Sequence, residues 1–119
     1  MYLRGLRGAT TVVLDDVDEV FQATVELLTQ MQVRNQLLVD DVAAVLFTVT
    51  PDIRSMFPAQ AARVLGWDQV PLLCFQEMSV TGALPFCIRV LILFNTEKNN
   101  IDIHPVYLRG AKVLRPDLL

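Results

Sequence analysis

Two apolar runs of strand length, Leu72–Phe75 and Ile88–Phe94, stand on either side of a connection that contains Thr81-Gly82. A charged residue marks each run: Glu77 lies just beyond the first and Arg89 near the start of the second. Runs of this kind read as strands, and the connection from Met78 to Pro85 can turn the chain back on itself. A charge left unpaired in an apolar interior costs roughly several kcal/mol. Glu77 and Arg89 are therefore expected to pair with each other or to wait for a ligand.

The rest of the chain must supply layers that cover such strands. At 119 residues it is expected to form one domain over 1–119, large enough for a core without disulfides or metal. Apolar residues make up 53% of it, a high share for a small soluble domain. No run reaches the roughly 18–20 apolar residues of a membrane helix; the candidate around Ile88–Phe94 is broken by Arg89 and Asn95. The surplus apolar surface is expected at a subunit interface. The opening Met1-Tyr-Leu-Arg-Gly-Leu-Arg-Gly lacks the apolar core of a signal peptide. Cys74 and Cys87 have no metal-type spacing and read as reduced thiols of a cytoplasmic protein. The net charge of −3, with ten scattered basic residues, leaves no nucleic-acid footprint. A single histidine, His104, rules out His-based metal clusters and weakens any triad.

Met1–Leu14 reads as a strand, with Tyr2, Arg4, Leu6 and Gly8 on one face and Leu3, Gly5, Arg7 and Ala9 on the other. Asp16–Glu19 resembles a capping box, and Val17, Val20, Phe21, Thr24, Leu28 and Met31 recur at helical spacing up to Arg34-Asn35, with Ala23 and Leu27 widening the stripe. Gln36–Asp41 is a short connection, and Val42–Thr50 reads as a strand that Pro51 ends. Ala59–Leu65 predicts a helix, with Pro58 near its first position and Gly66 just past its end. After the two central strands, Thr96–Asn100 is a polar turn. Ile101–Leu108 and Ala111–Leu114 read as one or two last strands, with Gly110 as a bulge. The order β-α-β-α-β-β-β, with late strands joined by short turns, predicts an α+β layer fold with one mixed sheet and helices on one face.

Several residues admit both a plain and a functional reading. Arg7 is either a surface arginine on a Gly-flanked strand or an anion ligand. Arg89 and Glu77 form either a structural pair or part of a ligand site. Cys74 reads as a small core residue, without the setting of a nucleophile. Tyr107 reads as core with its hydroxyl at a rim. Arg63 and Arg115 read as solvated charges. No acid–base couple and no phosphate loop emerges. Several arginines, one carboxylate and one phenol suit the binding of a small anion in a fixed shape.

A set of segments in order carries a family resemblance. They are Arg4-Gly-Leu-Arg7-Gly-Ala-Thr-Thr11, Thr50-Pro-Asp52, Met56-Phe-Pro-Ala59, Val70-Pro71 with Cys74-Phe-Gln-Glu77-Met78, Val80-Thr-Gly82, Cys87-Ile-Arg89-Val90, Val106-Tyr107-Leu108 and Val113-Leu-Arg-Pro-Asp117-Leu118. Together they span nearly the whole chain, and it resembles the monofunctional bacterial chorismate mutases of the trimeric type. The resemblance implies a pseudo-α/β-barrel homotrimer, with helices outside and active sites between subunits. It implies the rearrangement of chorismate to prephenate, without cofactor, metal or covalent intermediate. By position, Arg7 would bind a substrate carboxylate with help from Tyr107, and Arg89 would sit beside the ether oxygen of the breaking bond. Glu77 and the Cys74 region would hold the ring hydroxyl. Leu73, Phe75 and Gln76 would line the pocket with Phe57 and Leu114 as apolar walls, and Arg63 and Arg115 would add positive field.

Two departures from the family pattern stand out. Gln60 occupies a position where relatives often carry lysine, and the chain stops at Leu119 where relatives often continue into a tail. Two rival readings remain beside the enzyme: a non-catalytic trimeric metabolite-binding protein, and a trimeric imine deaminase of similar shape.

Overall fold

Strand alternation is strictest in the segment that the sequence places at the centre. In β4 (Cys87–Thr96), Ile88, Val90, Ile92 and Phe94 are buried, while Arg89, Leu91 and Leu93 face the other way and are partly or largely exposed. The computed structural model of the chain describes residues 1–118; Leu119, beyond which relatives are expected to continue into a tail, lies outside the described residues. The other strands are β1 (Tyr2–Thr11), β2 (Val42–Val49), β3 (Leu72–Gln76) and β5 (Val106–Tyr107), and the helices are α1 (Val17–Asn35) and α2 (Ala59–Val64). They form one mixed sheet in the order β3-β2-β4-β1-β5. β4 pairs antiparallel with both β1 and β2, whereas β3 joins β2 and β5 joins β1 in parallel. The α+β class with a mixed sheet is as expected.

The pairing of the central strands is not. β3 and β4 are not a hairpin, because β2 lies between them. The turn at Thr81-Gly82 does form, with Gly82 at φ +82, but the connection around it carries the chain past one strand. The last segment also differs from expectation. Only Val106–Tyr107 is strand, Asn100–Asp102 is a 3-10 turn, and Arg109–Leu114 is a 3-10 helix rather than a strand with a bulge at Gly110. The cause is distant in sequence. The Gly110 amide donates to Thr11 Oγ1 at 3.0 Å, and Arg109 takes a left-handed φ of 52°, so the chain folds over the end of β1.

α1 begins where the acidic cap predicts: Asp16 accepts from the Glu19 amide at 3.0 Å. It ends at Gln36, which takes φ 52° and returns its N–H to the last turn. Its buried stripe, Val20, Ala23, Thr24, Leu27, Leu28 and Met31, packs on the even-numbered face of β1 and β4. α2 is a single short helix whose Ala59, Ala61 and Ala62 are buried. Gly66, at φ +92°, and the Trp67 amide, bonded to Ala62 O at 3.0 Å, close its end. Trp67, Phe47, Leu6, Leu27, Met31 and Ile92 make the bulk of the core, each contributing about 1.5–3 kcal/mol on burial. No described helix is long and apolar enough to cross a membrane.

With both helices on one face, the other face of the sheet is bare. Leu3, Leu73 and Phe75 on it are 59%, 57% and 48% exposed, and Leu46, Leu91 and Leu93 are half-buried.

Close approach of α1 to β1 depends on Gly8. A Cβ there would lie 2.5 Å from Met31 Sδ and 3.2 Å from Leu27 Cδ1, both fully buried side chains. At Gly5, on the bare face, the nearest atom would be Leu91 Cδ1 at 3.3 Å. Gly8→Ala is expected to lower stability by about 1–3 kcal/mol through overpacking, and Gly5→Ala by clearly less. Urea midpoints of the two variants provide the comparison.

Candidate active site

Register places the candidate residues in rows across the bare face. Phe75 on β3 is opposite Thr48 on β2, and Thr48 is opposite Arg89 on β4. Arg89 is in turn opposite Ala9 on β1, and Ala9 is opposite Tyr107 on β5. One transverse row therefore reads Phe75, Thr48, Arg89, Ala9, Tyr107. The next row reads Leu73, Leu46, Leu91, Arg7. Glu77 follows β3, held to β2 by its amide on Val49 O at 2.8 Å. Ala9 is the only small side chain of the first row, so the surface dips between Arg89 and Tyr107.

The dip is a cleft of about 260 Å³, lined by Arg7, Gly8, Ala9, Leu46, Thr48, Phe75, Glu77, Arg89, Val90, Leu91 and Tyr107. Arg7, Glu77, Arg89, Tyr107 and Phe75 thus meet, as expected. Thr48, Ala9, Leu46 and Leu91 are additions that residue type alone did not reveal; the two-residue period of the strands beside Arg89 and Arg7 was the available signal. Arg89 Nε stands 3.6 Å from Glu77 Oε1, and the two side chains are 47% and 26% exposed. This corrects the expectation of a charge pair inside an apolar interior. In the single chain the pair lies at the mouth of an open cleft, where its net contribution to folding is small. Arg115 reaches the rim from the C-terminal side, with its guanidinium 6.0 Å from the Tyr107 ring centre. Asp117 holds it through bonds of 3.1 and 2.9 Å and so lowers its own carboxyl below the usual range.

The remaining candidates lie elsewhere. Cys74 and Gln76 point to the opposite face of β3 from Phe75 and line a second cleft of about 610 Å³. Phe57, Phe75, Gln60 and the loop from Thr50 to Pro58 complete it. Burial pushes the Cys74 thiol up, against the Ala59 amide and the Arg63 charge, so it stays protonated at neutral pH. Arg63 is exposed on α2 beside it, Leu73 is exposed on the bare face, and Leu114 is half-buried in the C-terminal 3-10 helix. One chain therefore does not bring Phe57, Arg63, Leu73, Cys74, Gln76 and Leu114 into the cleft of Arg7 and Arg89. Phe75 borders both clefts.

Two aspartates hold the loops that frame these clefts. Asp52 accepts from the Phe86 amide at 3.0 and 3.1 Å and from the Thr50 hydroxyl, and Thr50 Oγ1 accepts from the Cys87 amide at 2.9 Å. This clasp fixes Phe86 at φ 50°, a costly conformation for an aromatic residue, immediately before the strand that carries Arg89. Asp15 accepts from the amides of Arg54 at 2.9 Å and Ser55 at 3.1 Å, tying the loop that presents Phe57 to the start of α1.

The fold and its cleft define an α+β protein that carries arginines, a carboxylate and a phenol around a small pocket, suited to a compact anion. Comparison with known proteins gives the family. The model described as chorismate mutase type I matches residues 3–118, and the chain belongs to that family. It is 46% identical over 119 residues to chorismate mutase AroH of Bacillus subtilis, covering 99% of this chain and 94% of that protein. It is 50% identical over 117 residues to chorismate mutase AroH of Thermus thermophilus, covering 98% and 96%. A solved chorismate mutase from Clostridium thermocellum superposes with a TM-score of 0.91 at 46% identity, covering 92% of this chain and 98% of that one.

For Asp15, burial works to raise the carboxyl, but hydrogen bonds from Ser55 and Arg54 and the Arg54 charge outweigh it and hold it below 3.8. A carboxyl lowered by folding contributes stability that is fully present above its unfolded value and lost as pH falls through the folded one. Asp15→Ala is expected to cost about 1 kcal/mol at neutral pH. The gap to the parent should narrow as pH falls below about 4; urea midpoints from about pH 2.5 to about pH 7 measure it.

Proposed function

We propose that the chain acts as one domain over residues 1–119 and catalyses the Claisen rearrangement of chorismate to prephenate, on the route to phenylalanine and tyrosine. The observation that carries this reading is the convergence of Arg7, Glu77, Arg89 and Tyr107 on one cleft. Neither a binding protein without turnover nor an imine deaminase is favoured, since the curated relatives matched over nearly the full chain are named chorismate mutases.

The reaction is a concerted shift of electrons within one molecule. It needs no proton transfer and no nucleophile, and the chain's part is to hold a shape and meet a charge. Chorismate is a flexible dianion whose reactive conformer is compact. Arg7, with Tyr107 beside it, holds a carboxylate, and Glu77 accepts from the ring hydroxyl; clamping both ends makes the productive geometry the bound one. As the C–O bond lengthens, negative charge gathers on the ether oxygen. Arg89 meets it there and stabilises the transition state more than the bound substrate. A guanidinium suits this role because it stays charged and donates from a rigid fork. The chain carries a net charge of −3, so capture of a dianion relies on the local arginines within a Debye length, about 8 Å at physiological salt.

Three copies would assemble through the bare sheet face, whose apolar residues suit burial. The second cleft of one subunit would then face the arginine cleft of its neighbour. In this arrangement Phe57, Arg63, Leu73 and Cys74 come from the adjacent subunit, and Leu114 and Arg115 stay with Tyr107. Gln60 at the second cleft would leave that wall without a lysine charge. Two free thiols, Cys74 and Cys87, agree with a cytoplasmic location.

Loss of chorismate absorbance on addition of the purified protein tests the activity. Arg89→Ala is expected to lower kcat by at least about 10²–10³ with the fold intact, the scale for losing one preorganised donor. Near-native turnover in that variant would remove Arg89 from the mechanism. Prephenate binding without turnover, or ammonia release from an imino acid, would select one of the rival readings. Sedimentation equilibrium at three times the monomer mass is the expected assembly.

A further inference from the structure

Thr48 occupies the middle of the transverse row, directly opposite Phe75 on one side and Arg89 on the other. It lines the cleft with Glu77 and Arg89, yet its hydroxyl oxygen is shut off from solvent and has no hydrogen-bond partner. A buried hydroxyl without a partner lowers stability, and valine would fill the same space without that loss. Thr10 and Ser55 are the other described residues with such a hydroxyl, and neither lines this cleft. The adjoining charges also have bonding capacity to spare. Arg89 Nε and Glu77 Oε1 are 3.6 Å apart, beyond a hydrogen bond. A hydroxyl can accept from a guanidinium and donate to a carboxylate at the same time.

We propose that Thr48 is a positioning residue for the rearrangement, its hydroxyl bridging the Glu77 carboxylate and the Arg89 guanidinium when the cleft is occupied. The inference rests on the roles given above to Arg89 and Glu77. Glu77 reaches the cleft from the far side of β2, so the residue between it and Arg89 in the sheet is on β2, and that residue is Thr48. As charge gathers on the ether oxygen, the guanidinium is drawn to it and away from Glu77. The hydroxyl then gives the carboxylate a hydrogen-bond donor as the attraction of the guanidinium weakens, and accepts from a guanidinium N–H that faces the sheet. The contribution is largest at the transition state, so it belongs to kcat rather than KM. Local instability in the empty site, relieved on occupation, is the pattern by which folds tolerate an orphaned polar group.

The test compares Thr48→Val, Thr48→Ser and Arg89→Ala with the parent for kcat, KM, urea midpoint and assembly state. Thr48→Val is expected to lower kcat about tenfold with KM changed by less than about twofold, the scale of one hydrogen bond to a charged group. Its urea midpoint should be equal to the parent's or higher. Thr48→Ser, which keeps the hydroxyl, should recover most of the lost kcat. Parental kcat in Thr48→Val overturns the inference, and so does a loss accompanied by a lower midpoint or altered assembly that serine does not recover. Loss of turnover in Arg89→Ala beside full turnover in Thr48→Val would sink this inference alone. Retained turnover in Arg89→Ala would sink the reading beneath it and this inference together.

Discussion

A guanidinium fixed at the centre of a sheet is the constraint on which the rest of the structure depends. β4 is hydrogen-bonded along both edges, to β1 and β2, so its backbone has little freedom to shift. Its buried face is locked by Ile88, Val90, Ile92 and Phe94. A slip of one residue would carry Arg89 into the core and a core residue onto the bare face. The hydrophobic alternation that makes the strand therefore also sets where Arg89 emerges. The Asp52 clasp on Phe86 adds a second restraint just ahead of it. The point at which the cation leaves the sheet is therefore settled during folding, a condition that electrostatic preorganisation would need.

The bare face and the two clefts belong to one design. A sheet covered by helices on one side leaves its other side apolar and unsatisfied, and here that same side carries the charged row. Arg89 is half-exposed in a single chain, where water weakens its field. Covering the face with further copies would exclude that water and strengthen every charge in the cleft. Burial of Leu3, Leu73 and Phe75 would supply the driving force. Assembly and catalysis would then draw on the same surface.

The sequence made some of this legible and concealed the rest for definite reasons. Local signals held: the Asp16 cap, the α1 stripe, Gly66 at the end of α2 and the alternation along Ile88–Phe94 are all decided within a few residues. Pairing was not local. Thr81-Gly82 is a real turn, but nothing within Leu72–Phe94 tells that β2 comes between the two runs. The segment after Tyr107 reads as strand by composition, and it is Thr11, from the other end of the chain, that bends it at Gly110. Glu77 and Arg89 stand out as candidates by their charge beside apolar runs, Arg7 and Tyr107 mainly by family resemblance, and the four line one cleft. Thr48 and Ala9 have no distinctive chemistry; their place beside Arg89 exists only once the strand order is known. Cys74 and Phe57 share the second cleft rather than that of Arg89 within one chain, Cys74 because β3 alternates between it and Phe75 and Phe57 because it lies on the loop before α2.

The most direct measurement of the central claim is a crystal structure of the protein with a bicyclic ether dicarboxylate that mimics the transition state. The account predicts an Arg89 nitrogen within about 2.7–3.2 Å of the mimic's ether oxygen, with Arg7 on a carboxylate and Glu77 on the hydroxyl. An ether oxygen that faces water, or is met by a group other than Arg89, would contradict it.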